Sequence, residues 1–298
     1  MRSVLACLRQ LSAALRILLI FTVVFGVAYP LAITAVAQIP GLRSRAGGSL
    51  IKVNGQVIGS KLIGQIFTDS KGNPLAQYFQ SRPSAAGAGY DPTSSGASNL
   101  GPESIVDTLP NPSVKGDAGK QSLLTQVCSR SLAVGMAYGV DGSRPFCTPD
   151  GVGAVLAVLW SGPGFHGHVV RAVSMNQACP ATPFLANYHG VTVECARFGD
   201  DYSHGQVVPI RGSASAKPAV PAAAVTSSAS GLDPEISPAY AKLQEASVAK
   251  ARGISVAQID ALVRDFEKGR DLGFMGEARV NVLQLNVALD KDYPFHGK

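Results

Sequence analysis

The sequence predicts an α+β protein: a single N-terminal transmembrane helix, then an extracytoplasmic mixed α/β domain that carries a β-rich insertion. Three observations predict it. An uncharged apolar run covers residues 17–37, roughly the 20 residues an α-helix needs to cross the hydrocarbon core of a bilayer. Residues 110–221 hold short β-branched runs punctuated by Gly and Pro, with four of the five cysteines, as a stapled β module would. Residues 222–298 carry paired start and stop signals for helices.

The first segment, 1–39, is the cytoplasmic N-terminus and anchor. Arg2, Arg9 and Arg16 precede the run with no acidic residue among them, and Arg43 and Arg45 follow it. The positive-inside rule then expects the N-terminus in the cytoplasm and residues from about 40 onward outside. Ala35-Val36-Ala37 matches the small-residue pattern of signal cleavage, but the run is longer than the roughly 7–15 residues of a signal core. A retained anchor is expected. Pro30 within the run is tolerable where neighbouring groups satisfy the freed carbonyl, and the small residues Gly26 and Ala28 suit close helix packing.

Residues 40–109 are polar and rich in Gly, Ser and Pro. Residues 49–53 and 56–60 read as a hairpin around Asn54-Gly55, which supplies the positive φ angles of a type I′ turn. Residues 87–102 read as an ordered loop or extended wrap.

Segment 110–221 opens in Pro110-Asn111-Pro112 and closes in an Ala- and Pro-rich stretch, so it reads as a separate inserted module. Residues 154–160 and 169–173 are expected to form a hairpin, and 191–195 and 206–210 further strands. Cys128, Cys147, Cys179 and Cys195 all fall on the expected outer side and Cys7 alone on the inner, an even count where disulfides persist. Four cysteines admit three pairings, among which sequence alone does not choose. Proximity along the chain favours Cys128–Cys147 with Cys179–Cys195.

In segment 222–298, Asp233-Pro234 has the form of an N-cap followed by Pro at N1. A helix is expected from about Ser237 to Arg252, with Gly253 at C′. Ser255 and Gln258 form a capping-box pattern opening a second helix, with Val256, Ile259, Leu262, Val263 and Phe266 on one face. Residues 281–289 suit helix or strand, and Asn281 with Gln284 favours helix.

Catalytic patterns are scarce. The sequence has no His-Glu-x-x-His, Cys-x-x-Cys, Gly-x-Ser-x-Gly or Walker A string. Residues 162–167 match Gly-x-Gly-x-x-Gly, but a strand-like run follows instead of the helix a dinucleotide site requires, so a hairpin loop is expected. His166, His168, His189 and His204 have no carboxylate at a recognisable ligand spacing. Residues 94–99 resemble a phosphate nest without a Lys, and Asp200-Asp201 reads as an exposed turn. The formal charge of +6 over 298 residues is mild and dispersed, which gives no case for nucleic acid. One anchor, an exported body and no catalytic set suit an accessory subunit better than an enzyme.

Several strings point further. Ile63-Gly64-Gln65-x-Phe67, residues 78–84 (Tyr-Phe-Gln-Ser-Arg-Pro-Ser), Tyr90-Asp91 and residues 94–102 occur in order. Residues 225–238, 248–252 and 280–290 continue the series. Together they resemble the motifs of the KdpC family, the C subunit of the potassium-transporting Kdp P-type ATPase, over roughly 10–105 and 222–290. The segment between departs from the pattern. The resemblance implies a non-catalytic subunit that supports assembly and K⁺ affinity from outside. It implies three partners: a channel-like K⁺-translocating subunit, an ATP-hydrolysing P-type subunit and a small single-span subunit. ATP, Mg²⁺ and K⁺ would be handled by those partners, with no cofactor in this chain; a role in binding ATP conflicts with an exported body. Interface candidates are Gly26 and Ala28 in the anchor, and Tyr78, Phe79, Arg82, Ser98 and Asn99 in the motifs. The alternative is a membrane-anchored extracellular binding or hydrolytic domain centred on the cysteine-containing module.

Overall fold

The computed structural model describes residues 2–97 and 99–296, in two compact units, 1–62 and 63–298. In the first unit the apolar run lies in helix α1 (Arg2–Val23), a π-helical turn (Val24–Ala28) and α2 (Tyr29–Ala37). Pro30 explains the turn. It has no N–H and its ring crowds the carbonyl one turn back, and the Tyr29 N–H reaches instead to the Val24 carbonyl five residues earlier. The Thr34 hydroxyl donates to the Pro30 carbonyl at 2.8 Å. The helical stretch Ala6–Ala37, 32 residues with Arg9 and Arg16 in its first half, is long and apolar enough by length and composition to cross a membrane; at about 1.5 Å per residue it spans about 48 Å. Every described side chain of this stretch except that of Ala37 is exposed.

After a short helix α3 (Arg43–Ala46), strands β1 (Leu50–Val53) and β2 (Gln56–Ser60) pair antiparallel as the expected hairpin. Asn54 and Gly55 take φ of 50° and 82°, the left-handed values a type I′ turn needs.

The second unit opens with the wrap over residues 63–122, which contains one 3₁₀ turn (Pro92–Ser94). Helix α4 (Leu123–Tyr138) follows, then β3 (Val155–Gly162), β4 (His166–Ala178), β5 (Asn187–Tyr188), β6 (Val191–Ala196) and β7 (Gln206–Pro209). The strands form one sheet in the order β5-β6-β4-β3-β7, antiparallel except for β4 with β6. Interior strand β3 is buried on both faces: Leu156 and Val158 meet Val169 and Val193, while Ala157 meets Val173 and Ala196 on the other side. That is why its sequence is a continuous apolar run.

Helices α5 (Ala222–Val225), α6 (Pro238–Arg252), α7 (Val256–Phe266) and α8 (Val282–Asp292) enclose the main core with a small sheet, β8 (Glu235–Ile236), β10 (Arg279–Asn281) and β9 (Glu267–Lys268), in the order β8-β10-β9. Both halves of the Ser255–Gln258 capping box are formed, Gly253 takes the left-handed C-cap, and the Asn281 side chain caps α8.

Three expectations change. Asp233-Pro234 does not start a helix: the Asp233 carboxylate accepts from the Glu235 N–H and from Arg82, and the cap is Ser237 with Pro238 at N1. Val256 is exposed, leaving Ile259, Leu262 and Val263 as the buried face of α7. The middle segment also contains a 16-residue helix, α4, and not strands alone. Val127, Val134 and Tyr138 of that helix pack on the core formed by α6, α7 and α8. Close approach needs glycine on both sides: a Cβ on Gly135 would lie 2.6 Å from the Gly142 backbone, and one on Gly142 2.7 Å from the Ser131 carbonyl.

Two disulfides pair nearest cysteines. Cys128–Cys147 ties α4 to the segment entering β3, and Cys179–Cys195 ties the end of β4 to β6. Cys7 is free.

Candidate functional site

The motif residues converge on one polar clasp, where the wrap over 63–96 is laced to the C-terminal helices. The Asn286 side chain on α8 accepts from the Phe79 N–H and donates to the Phe79 carbonyl, both at 2.9 Å. Gln244 on α6 does the same for Gln80, at 2.6 and 3.2 Å. Each amide thus pairs with an extended segment that has no strand neighbour, which meets the requirement that buried peptide groups be bonded. The Phe79 ring, 0% exposed, fills the core beneath.

Charged groups close the two ends. Arg252, whose side chain is 0% exposed, donates to the Gln77 carbonyl at 2.8 Å, to the Tyr293 carbonyl at 2.7 Å and to Asp290 at 2.7 Å. It lies over the Tyr78 ring, 5.1 Å from the centroid, and Tyr78 donates to Asp290 at 3.0 Å. Burial, with the Asp290 carboxylate beside it, raises the Tyr78 phenol above its ordinary pKa. At the other end Arg82 pairs with Asp233 at 3.1 Å and reaches the Thr226 carbonyl. Tyr90 donates to the Arg82 carbonyl at 3.0 Å, and burial pushes its phenol up to about 12. A Cβ on Gly64 would run into the Tyr90 ring, which gives the Ile-Gly-Gln motif its glycine. Ser84 donates to the Gly231 carbonyl at 2.6 Å, and Ser95 to the Ser230 carbonyl at 2.9 Å.

Beside Arg82 opens a cleft of about 360 Å³, lined by Thr226, Asp233, Glu235, Glu277 and Arg279. In its wall Arg279 pairs with Glu235 at 3.2 Å, and it also reaches Asp271 at 3.0 Å. Burial raises the Glu235 carboxyl, and Arg279 pulls it back. Arg279 clips the base of a short excursion, residues 269–278, in which Asp271 and Met275 exchange backbone hydrogen bonds at 2.9 Å.

Tyr78, Phe79 and Arg82 therefore build the chain's own fold. Asn99 lies exposed in the loop, and Ser98 is outside the described residues. Gly26 lies in the π turn, where a Cβ would meet only the Thr22 methyl, at 3.8 Å; Ala28 is exposed on the same turn. The Gly162–Gly167 string is the β3–β4 connection, with strands on both sides. His168 contacts Ser161 at 3.1 Å, and His189 packs on Tyr188 and Trp160. His204 is 3.9 Å from Asp201 in an exposed turn. Among the described residues no three His, Cys, Asp or Glu side chains converge as a metal site would. Sequence reasoning missed Asn286, Gln244 and Arg252; the cue was amide and guanidinium groups at positions that helix periodicity assigns to the core.

Against known proteins, the family model described as KdpC, K⁺-transporting ATPase, c chain, matches residues 11–108 and 204–291. Relatives named potassium-transporting ATPase KdpC subunit are similar over almost the whole chain. The one from Kineococcus radiotolerans is 35% identical over 288 residues, 96% of each chain. The one from Mycobacterium tuberculosis is 35% identical over 95% of this chain and 98% of its own. For that from Rhodospirillum rubrum the figures are 35%, 96% and 98%. These lengths span the middle segment as well as its flanks.

Proposed function

Because the chain belongs to the KdpC family, the c chain of the K⁺-transporting ATPase, we propose that it acts as a membrane-anchored, non-catalytic subunit of an ATP-driven potassium importer, supporting assembly and K⁺ affinity from outside the cell. The match across both flanks of the middle segment carries this reading. The partners are a channel-like K⁺-translocating subunit, a P-type ATPase subunit and a small single-span subunit. ATP and Mg²⁺ belong to the P-type partner and K⁺ to the channel-like one.

Topology follows from charge and sulfur. Arg2, Arg9 and Arg16 precede the apolar run and Arg43 and Arg45 follow it, a bias of three to two that favours an inner N-terminus. The free cysteine lies N-terminal to the run and both disulfides C-terminal to it, the arrangement that an oxidising compartment beyond the anchor favours. The anchor carries no acidic residue to hold an ion at depth, so its contribution is contact. Gly26 and Ala28, in the turn loosened by Pro30, let a neighbouring helix approach closely.

The test is growth at limiting K⁺ in a strain whose only high-affinity importer is this complex, with co-purification of the subunits from membranes. Loss of growth on deleting this chain, with tagged chain recovering the other subunits, is expected. Normal growth without the chain would reject the subunit reading.

A further inference from the structure

Residues 38–62 belong to the same compact unit as the anchor and have no core of their own. None of their apolar side chains is buried; Leu50 and Val57 stand 48% and 52% exposed, and among the apolar side chains Ile51 alone is half-buried. A two-stranded hairpin with nothing packed on it is marginal in water, so another surface completes this one. The segment is also purely basic. Arg43, Arg45, Lys52 and Lys61 fall within it, and the first acidic residue of the chain is Asp69. Lys52 lies two residues from Leu50 on β1 and opposite Val57 on β2, so these three side chains share one face of the hairpin.

Position says which surface that is. Residues 17–37, uncharged, cover about 31 Å as a helix, matching a hydrocarbon core of about 30 Å. The outer edge of the core therefore falls near Ala37. Beyond it the chain advances in closed turns and not as a free linker. The Arg43 N–H bonds the Ile39 carbonyl at 3.2 Å, Ala46 bonds Leu42 at 2.8 Å and Ser49 bonds Ser44 at 2.8 Å. The Lys61 N–H returns to the Ser49 carbonyl at 3.0 Å, and the Ser60 hydroxyl donates to the Gly48 carbonyl at 2.7 Å. Turns of this kind advance about 1.5 Å per residue, against about 3.5 Å when extended. The hairpin thus begins within about 20 Å of the core edge, near enough to fold back onto the headgroup layer.

We propose that residues 38–62 form a foot that lies on the outer surface of the bilayer, with Leu50 and Val57 at the acyl boundary and Arg43, Arg45 and Lys52 against the phosphates of anionic lipid. The proposal rests on the reading above that the chain is anchored with its body outside. The mixture of side chains selects lipid over another protein. The core of a protein interface is depleted in Lys, whereas here Lys52 stands between two apolar neighbours. A headgroup layer accepts that mixture, because the Lys stem lies along apolar surface while its ammonium reaches phosphate. A basic excess with no acidic residue is the complement of an anionic surface.

The full-length chain in vesicles tests the seat. In a Cys7→Ser background, Val57→Cys and Phe25→Cys each carry a fluorophore, in phosphatidylcholine alone or mixed with phosphatidylglycerol, and nitroxide lipids quench by depth. The label at 25 should be quenched by a nitroxide deep in the acyl chains in both lipids. The label at 57 should be quenched by a headgroup nitroxide in the anionic mixture and far less in phosphatidylcholine. No quenching at 25 rejects the anchored reading itself. Quenching at 25 with none at 57, or equal quenching at 57 in both lipids, rejects the foot and leaves the anchor standing. Arg43→Gln with Arg45→Gln and Lys52→Gln should raise the phosphatidylglycerol content needed for half-maximal quenching at 57 severalfold, since each cation at an anionic surface is worth about a factor of five. An unchanged requirement overturns the proposal. Membranes holding the assembled pump test the occupant. A photo-crosslinking residue in place of Val57 should give adducts with lipid there; an adduct with another subunit, or none with lipid, overturns the proposal.

Discussion

Asn286 holds the peptide of Phe79, 207 residues away in sequence, from both sides, with its carboxamide oxygen and nitrogen each 2.9 Å from the groups they pair. This one side chain performs for the wrap what a neighbouring strand does in a sheet. Asn286→Leu leaves a buried N–H and a buried carbonyl unpaired and should cost about 2–4 kcal/mol. Asn286→Asp, which keeps the acceptor and loses the donor, should fall between. Thermal unfolding of the full chain in detergent, followed by Trp160 fluorescence, checks the order; equal midpoints for all three proteins would show that the pairing contributes nothing.

The two disulfides give a chemical count. Non-reduced, denatured chain should label one cysteine, Cys7, and reduced chain five. Labelling of all five before reduction would refute both bridges. Closing a loop of this length stabilises by about 2–4 kcal/mol, so Cys147→Ser should lower stability by that order and free α4 first, because its bridge ties that helix to the segment entering β3.

Glu245 lies almost fully buried on α6. Burial and then the Asp260 carboxylate hold its carboxyl above the ordinary 4.5, with Lys242 and Arg264 pulling it back. A raised native pKa means that the folded chain binds this proton more tightly than the unfolded one. The stability from this group is complete below 4.5 and is lost as pH rises through the native value. Glu245→Gln should therefore be more stable than wild type at neutral pH and lose the advantage in acid. A neutral-pH midpoint below that of wild type would contradict it.

Legibility in the sequence followed how strongly each element writes its own pattern. The Asn54-Gly55 hairpin, the Ser255–Gln258 box and the β3 run were readable because turn chemistry, capping and continuous burial each leave a local signature. Helix α4 was not, since its most buried stripe is Thr125, Cys128, Ser131 and Gly135, small or polar residues that mute the apolar period. Ser122 as cap and Gly139 as stop were the available cues. Asp233-Pro234 misled because an Asp before Pro serves a turn as well as a cap. The motif strings located the clasp but not its purpose: Tyr78, Phe79 and Arg82 read as partner contacts, whereas their bonds run to residues more than 140 positions away in the same chain.

The middle segment supplies the sharpest test, because sequence and packing expect different outcomes from cutting it out. Read from composition, residues 111–220 are an insertion that a short joint could replace. In the structure, Val220 is buried in the core with Phe79 and α6. Arg144 and Arg130 donate to the Val220 and Val225 carbonyls at 2.9 and 3.1 Å, and Tyr138 reaches Gln244. Removing 111–220 strips several buried apolar side chains at about 1.5–3 kcal/mol each, a large part of the roughly 5–15 kcal/mol that keeps a domain folded. A narrower cut has a natural closure. Val155 on β3 pairs with Pro209 on β7, and the Ile210 N–H bonds the Ala154 carbonyl at 2.8 Å, so the ends of 155–209 are neighbours and a short turn can join them. That deletion removes the sheet and the Cys179–Cys195 bridge but keeps α4, Cys128–Cys147 and Val220. The narrow deletion should leave a protease-resistant chain that still recovers the other pump subunits, and the wide one should be degraded. The opposite order would restore the reading of 111–220 as an independent module.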